Sequence, residues 1–492
     1  MMKKLLFASA VLLAGAVLNA EVKLPAIFSD HAVLARRAKV PVFGTAAPGE
    51  KVTVTLDRSK AETTAGKDGR WRVDLNLADS SEGPFELKVN QLTVKDVLVG
   101  EVWLCSGQSN MAFTMSGAIG LAEEKKNPPG KRFRCFLLRN PASEEPLTDC
   151  QGRWVYAEPA TIPFFPAVGY FFGKELLANQ IGPVGLIKSA QGGSRIECWM
   201  SPESLKGLVP DALEKSKVKP RPKMWYRLPL LLFNSRLHPL IPYRLSGVVW
   251  YQGESNAASA DRYAALFRAM IQDWRKRFED PSLPFFWCSL PSHGPRSGEP
   301  DGKFNWAELR AAQTEVLSLP ATGQAVLIDT GETGNIHPRD KRPAGRRIAA
   351  LALARVYGRK CPDAGPSMTA AVREGNSVRI SFRDLHGGLR AAPVPAEYDI
   401  STNKKTRGKT VRLSPKTQLE GFALCGADGH WHWADRAVIE GDQVVVSSEK
   451  VKAPCRVRYA WQNSPVCNLC NAAGFPAVPF QYALPEAGTK GK

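Results

Sequence analysis

The chain predicts an α/β fold: a three-layer α/β/α domain on a parallel five-stranded sheet, flanked by N- and C-terminal antiparallel β-domains. Three observations point there. Apolar residues alternate near both ends of the chain, they fuse into short continuous runs in the middle, and helical stripes separate those runs.

From Glu21 to Val97 the alternation is carried by Val52, Val54 and Leu56, and again by Trp71, Val73, Leu75 and Leu77, with the turn signal Ala47-Pro48-Gly49 between them. Residues 21–97 therefore read as a small β-domain. A second alternation starts near Ser367 and runs through Val378, Ile380 and Phe382, then Val444 to Val446, then Val457, Tyr459 and Trp461, so 361–492 reads as another. No internal repeat recurs at a fixed period.

Between them, in 98–360, the buried runs are Leu98–Cys105, Pro183–Ser189, Gly247–Tyr251, Pro284–Leu290 and Gln324–Ile328. After the third comes a helix with Tyr263, Leu266, Phe267, Met270, Ile271, Trp274 and Phe278 at 3-4 spacing, which lays one apolar stripe against a sheet. Five strands with such crossovers make the three-layer core.

Composition bounds the function. The 492 residues carry 66 Lys+Arg against 47 Asp+Glu, a net charge of +19, with 44% hydrophobic and 23% charged residues. Disorder, collagen and a coiled coil are excluded. Nucleic acid is an unfavoured partner, because no helix-turn-helix, zinc finger or aromatic-basic repeat accompanies the charge; an acidic glycan or a membrane surface is the better counter-charge. The basic run Lys215 to Lys223, interrupted by two prolines, reads as a solvated loop.

Residues 1–20 have the three parts of a secretory signal: Lys3-Lys4, an apolar run from Leu5 to Leu13, and small residues at Ala14, Ala16 and Ala20, with cleavage after Ala16 or Ala20. Export to the periplasm or the exterior is expected. No later stretch is long and apolar enough for a membrane span. The ten cysteines are too sparse for a disulfide scaffold. Cys467-x-x-Cys470 lacks a second pair at zinc-ligand spacing, and Cys425 with His430 and His432 reads better as a turn at a strand edge than as a metal site.

Ligands of an open parallel sheet sit beyond the carboxyl ends of its strands. The five post-strand loops read Ser106-Gly107-Gln108-Ser109-Asn110-Met111, Gln191-Gly192-Gly193-Ser194-Arg195, Gln252-Gly253-Glu254-Ser255-Asn256, Pro291-Ser292-His293-Gly294 and Thr333-Gly334-Asn335-Ile336-His337-Pro338. Ser109 follows a strand and a glycine and opens a helix, where backbone amides and the helix dipole favour developing negative charge; it is either a nucleophile or a helix cap.

Of the seven histidines only His293 and His337 fall in these loops. His337 is the preferred base, since Pro338 fixes the turn and the last strand is where a base reaches back to the first. Gly192-Gly193 lets the backbone approach a substrate oxygen, and Gln252 and Asn256 add amide donors. Glu254 would suit the general acid of a glycosidase, but no second carboxylate stands in a partner loop. Gln108, Arg195, Glu254 and Asn256 are candidates for substrate contact. Arg195 suits a carboxylate, and Trp199 is either a sugar platform or a core residue.

The strings VWLCSGQSNM, GGSRIECWMS, GVVWYQGESN and NIHPRDK, in this order, resemble the blocks of the SGNH-hydrolase group, to which sialate O-acetylesterases and the related acetylxylan esterases belong. KVPVFGTAAPGEKVTV and WQNSPVCNLCNAAGFPAVPF extend the resemblance to sialate O-acetylesterases over nearly the whole mature chain. The resemblance implies an SGNH-type core, with Ser109 as nucleophile and His337 as general base. It also implies an oxyanion hole made by the Ser109 and Gly193 backbone N–H groups and the Gln252 side-chain amide. Neither metal nor organic cofactor is implied.

The sequence departs from that pattern at one point. Members of the group usually carry an aspartate two or three residues before the histidine, where this chain has Gly334 and Asn335. Asn335 is the expected third member, as an amide can hold the imidazole tautomer without supplying charge; Asp329, Glu332 and Glu254 are the alternatives. Removal of O-acetyl groups from sialic acids is the leading activity. A neutral-polysaccharide acetylesterase acting on substrates such as xylan, and a carbohydrate-binding protein with weakened catalysis, are the rivals.

Overall fold

The computed structural model describes residues 21–219, 223–332, 334–393 and 418–485. The export signal expected over 1–20 and the middle of the basic run, 220–222, lie outside the described residues.

The N-terminal region contributes β1 (Val33–Ala35), β2 (Val40–Thr45), β3 (Lys51–Leu56), β4 (Ser59–Thr64), β5 (Arg70–Leu75) and β6 (Phe85–Val89). β7 (Leu92–Gly107) follows as one continuous strand of 16 residues. Its first half pairs antiparallel with β6 and parallel with β1, with Val33 opposite Leu98. Its second half is the middle of the central sheet. The position 97/98, expected as a boundary, falls inside this strand.

The other central strands are β8 (Gly130–Leu137), β9 (Trp154–Ala157), β10 (Val184–Ala190), β11 (Gly247–Tyr251), β12 (Phe285–Cys288) and β13 (Thr322–Ala325). Their order is β13-β12-β11-β7-β10-β8-β9. All neighbours pair parallel except β8 and β9, so the sheet is mixed. This corrects the five-stranded parallel sheet: β8 adds a parallel strand and β9 an antiparallel edge. β8 was hidden because Arg134 interrupts its apolar run. That arginine is 1% exposed and donates to Asp96 Oδ1 at 2.9 Å and to the Lys131 carbonyl at 2.9 Å, which satisfies a buried cation inside a strand.

The helices are α1 (Ser109–Ala112), α2 (Leu121–Lys126), α3 (Ala167–Ala178), α4 (Pro202–Leu205), α5 (Ala212–Ser216), α6 (Tyr263–Arg277), α7 (Asn305–Glu315) and α8 (Arg342–Arg355). Strand alternation divides them between the two faces of the sheet. Trp103, Cys105, Leu186, Val249, Phe286 and Cys288 pack with α3 and α8, while Val102, Leu104, Ile187, Val248, Phe285 and Trp287 pack with α6 and α7. The α6 stripe is buried as its spacing predicts, and Trp274 meets Trp250 edge-on at 5.8 Å. The second cluster also takes in Val52, Val54, Trp71 and Leu87, so the N-terminal strands share its core.

The C-terminal region forms two four-stranded antiparallel sheets. One has the order Ser367–Glu374, Ser377–Arg383, Gln443–Ser447, Arg436–Glu440; the other has Trp431–Trp433, Phe422–Cys425, Arg456–Tyr459, Phe480–Ala483. Its core includes Val326 and Ile328. The run expected as a strand over Gln324–Ile328 therefore splits: its front pairs with β12, and its back leaves the sheet to be covered by the C-terminal strands. Among the described residues no helix is long and apolar enough to cross a membrane.

Candidate active site

Four of the loops at the carboxyl ends of the central strands interlock around Ser109. At the end of β7, Gly107 has φ +132°, and a Cβ there would lie 2.2 Å from the Tyr251 carbonyl, so only glycine lets β7 and β11 stay close as the chain turns away. The Gln108 N–H donates to that carbonyl at 2.9 Å, and α1 begins at the next residue. α1 is a single turn, too short to carry the dipole that a longer helix would supply. What it offers is local N–H groups.

Ser109 and His337 line one cleft of about 350 Å³, with Ala112, Phe113, Thr114, Ser116, Gly117 and Gly192. His293, the other loop histidine, does not line this cleft: it packs on Trp306 at 5.4 Å with Nδ1 buried and unpartnered, and its backbone N–H donates to the Asn463 carbonyl. The imidazole of His337 stacks on Phe113, with ring centres 6.4 Å apart and planes inclined by 24°. Burial first, then the nearby Lys341 and His293, hold its pKa below the ordinary value. The shift favours the neutral ring, the form that accepts a proton.

Gly192 approaches Ser109 closely: a Cβ on it would lie 3.6 Å from Ser109 Cβ. Gly193 has φ +70°, which a side chain would strain. Among the described residues, neither the Ser109 N–H nor the Gly193 N–H has a protein acceptor. A hydroxyl and an imidazole on one cleft, with the Ser109 N–H and the N–H of Gly193 in the adjoining loop uncommitted, suit acyl transfer.

The polar loop residues expected to touch substrate instead tie the loops together. Gln108, 2% exposed, accepts at Oε1 from Gln252 Nε2 at 3.1 Å and from the Ser255 N–H at 3.2 Å. The Gln252 amide is fully buried: it also donates to Asn256 Oδ1 at 2.7 Å, and its Oε1 accepts the Tyr263 hydroxyl at 2.8 Å. Its hydrogens are spent inside the protein rather than aimed into the cleft. Asn256, 1% exposed, accepts from the Ile196 N–H at 3.0 Å and donates to Glu197 at 3.0 Å, joining the second loop to the third. Trp199 is a core residue with its indole N–H on Ser194 Oγ at 2.9 Å, while Arg195 is exposed.

None of the four expected third members bonds to the His337 ring among the described residues. Asn335 accepts the backbone N–H of His337 at 3.0 Å and donates to Glu332 at 3.0 Å. Glu332 also accepts the Arg339 N–H at 2.8 Å, and Asp329 is held by both Nη atoms of Arg347 at 2.7 Å. Glu254 accepts at Oε1 from Asn110 at 2.5 Å, while its Oε2 is buried without a partner and burial raises its pKa.

Two residues that sequence reasoning passed over complete the site. Asn110, fully buried, donates to Glu254 and, at 3.0 Å, to the Ile336 carbonyl, while its Oδ1 accepts from Lys341 Nζ. Lys341, 1% exposed, lies 5.0 Å from the Phe113 ring centre and 5.5 Å from that of Tyr251, and burial lowers its pKa to about 8. Both stand inside the quoted strings, but only the fold shows that they meet. All ten cysteines are unpaired thiols, and among the described residues no group of three or more His, Cys, Asp or Glu is placed to hold a metal.

Residues 99–339 match the family model described as carbohydrate esterase, sialic acid-specific acetylesterase. The chain is 32% identical to the sialate O-acetylesterase of Homo sapiens, covering 94% of this chain and 92% of that one, and 32% identical to that of Pongo abelii, covering 92% and 91%. A crystal structure of a carbohydrate acetylesterase from Xanthomonas citri superposes with a TM-score of 0.82 at 36% identity, covering 94% of this chain and 99% of the other.

Proposed function

The chain belongs to the sialic acid-specific acetylesterase family of carbohydrate esterases, and on that premise we propose that it removes O-acetyl groups from sialic acids through Ser109 and His337. It is a carboxylic ester hydrolase. The observation that carries the site assignment is the shared cleft of Ser109 and His337 beside Gly192-Gly193.

In this reading Ser109 Oγ attacks the acetyl carbonyl and passes its proton to the neutral His337 imidazole. The N–H groups of Ser109 and Gly193 hold the oxyanion. Collapse expels the sugar oxygen, which takes the proton back from His337. Water, deprotonated by His337, then attacks the acetyl-Ser109 ester, releasing acetate and restoring the serine. Gln252 acts through the loops it ties. The third member is a backbone arrangement: Asn335 fixes the His337 main chain, and the imidazole works without a carboxylate partner.

Export through residues 1–20 to the periplasm or the exterior belongs to the same proposal. The test is acetate release from O-acetylated sialic acids and from acetylated xylan by wild type and Ser109→Ala. Release from the sialic acids that depends on Ser109 supports the reading; release from xylan alone keeps the serine mechanism and overturns the substrate.

A further inference from the structure

The cleft lining contains no charged side chain apart from the titratable His337. The nearby carboxylates are committed elsewhere: Glu254 to Asn110, Glu332 to Asn335 and Arg339, Asp329 to Arg347, Glu197 to Asn256. Three arginines stand near this loop: Arg195 within it, Arg339, whose Nε donates to the carbonyl of the cleft residue Gly117 at 3.3 Å, and Arg227, which packs against Gly193. The position that a Gly193 Cβ would occupy lies 2.4 Å from Arg227 Nη2 and 3.1 Å from both Cζ and Nε, so the guanidinium lies against this residue. All three nearest atoms belong to Arg227, none to Arg195, the arginine the sequence singled out.

Arg227 is anchored by its main chain and free at its side chain. It ends the short turn Trp225–Arg227; its N–H donates to the Met224 carbonyl at 2.9 Å, and its own carbonyl accepts from Cys198 Sγ at 3.2 Å. The side chain is exposed, and among the described residues no carboxylate pairs with it. A guanidinium presents a planar fork of donors that matches a carboxylate in two-point geometry. Because Gly192 meets Ser109 and Gly193 meets Arg227, this fork stands one loop residue from the nucleophile.

We infer that Arg227 receives the carboxylate of an anionic acetylated sugar and sets the preference of this cleft for acidic over neutral substrates. The inference rests on the sialic acid reading and names the residue that enforces it. Sialic acids carry a carboxylate on the same sugar unit as the ring and side-chain hydroxyls that are acetylated, so a cation near the acyl site can hold the carboxylate while Ser109 attacks the acetyl group.

The experiment compares KM for an O-acetylated sialic acid with KM for its methyl ester, which keeps the acetyl group and loses the negative charge. Wild type should favour the free acid by on the order of tenfold, the scale of one charge-assisted hydrogen-bonded pair. Arg227→Ala should bring the ratio close to one, and Arg227→Lys, which keeps the charge but not the fork, should fall between. A ratio unchanged in Arg227→Ala, or one abolished by Arg195→Ala instead, overturns the inference while leaving the esterase reading intact. Absence of acetate release from either compound by wild type overturns both.

Discussion

The Asn110 side chain donates to the backbone carbonyl of Ile336 at 3.0 Å, so the residue after Ser109 holds the residue before His337. Glu254 and Lys341 fix that side chain from its other sides. The proposed nucleophile and base thus sit on loops joined by one buried amide, which in that reading serves the alignment an orienting aspartate would otherwise provide.

Asn110→Ala removes this link. The expected loss is in kcat, on the order of tenfold to a hundredfold as for a misaligned reacting pair, with a change in KM of less than about threefold. Steady-state kinetics on a small aryl acetate check it, and a fall in kcat/KM carried wholly by KM would contradict the alignment role.

The pH dependence follows from His337. The active form is the neutral imidazole, and burial with Lys341 and His293 nearby places its pKa below the ordinary value of 6.5. The acid limb of kcat/KM should therefore have its midpoint below pH 6.5. Lys341→Met deletes a cation that disfavours the imidazolium, so its acid limb should move to higher pH. A limb that stays put would show that Lys341 does not act on His337.

Asn335→Asp restores the usual residue type without restoring its contact. Asn335 faces Glu332 at 3.0 Å and the His337 main chain, so an aspartate there would oppose the Glu332 carboxylate rather than reach the ring. The variant should be slower than wild type and melt lower. A faster enzyme would mean that position 335 does touch the imidazole.

Gly193→Ala forces a side chain onto a backbone at φ +70° and into the Arg227 guanidinium. Displacement of one oxyanion donor should reduce kcat by about a hundredfold to a thousandfold. Circular dichroism and a thermal melt will separate that loss from unfolding, and near-normal turnover would remove Gly193 from the oxyanion site.

The central strands were legible because burial on both faces leaves continuous apolar runs, and β7, β10, β11 and β12 lie where those runs stand. β8 was not, since its Arg134 is balanced by Asp96, a partner 38 residues earlier. Nor could the sequence tell that Val326 and Ile328 serve the C-terminal core. At the site, the post-strand positions of Ser109, His337 and Gly192 pointed to residues that line one cleft, while the roles proposed for them come from the family resemblance. The polar residues beside them could be picked out, but not their partners: Gln108, Gln252 and Asn256 are donors and acceptors whose hydrogen bonds, in the fold, run to neighbouring loops. Arg227 was illegible, because it lies in an irregular segment with no periodicity and meets Gly193 only through the fold.

The most direct test of the account is to quench the enzyme in acid during turnover of an O-acetylated sialic acid and map the acetyl group by peptide mass spectrometry. The account predicts an acetyl ester on the peptide carrying Ser109, lost in Ser109→Ala together with acetate release. Acetate released by Ser109→Ala at the wild-type rate, or an acetyl group trapped on a different residue, would contradict it.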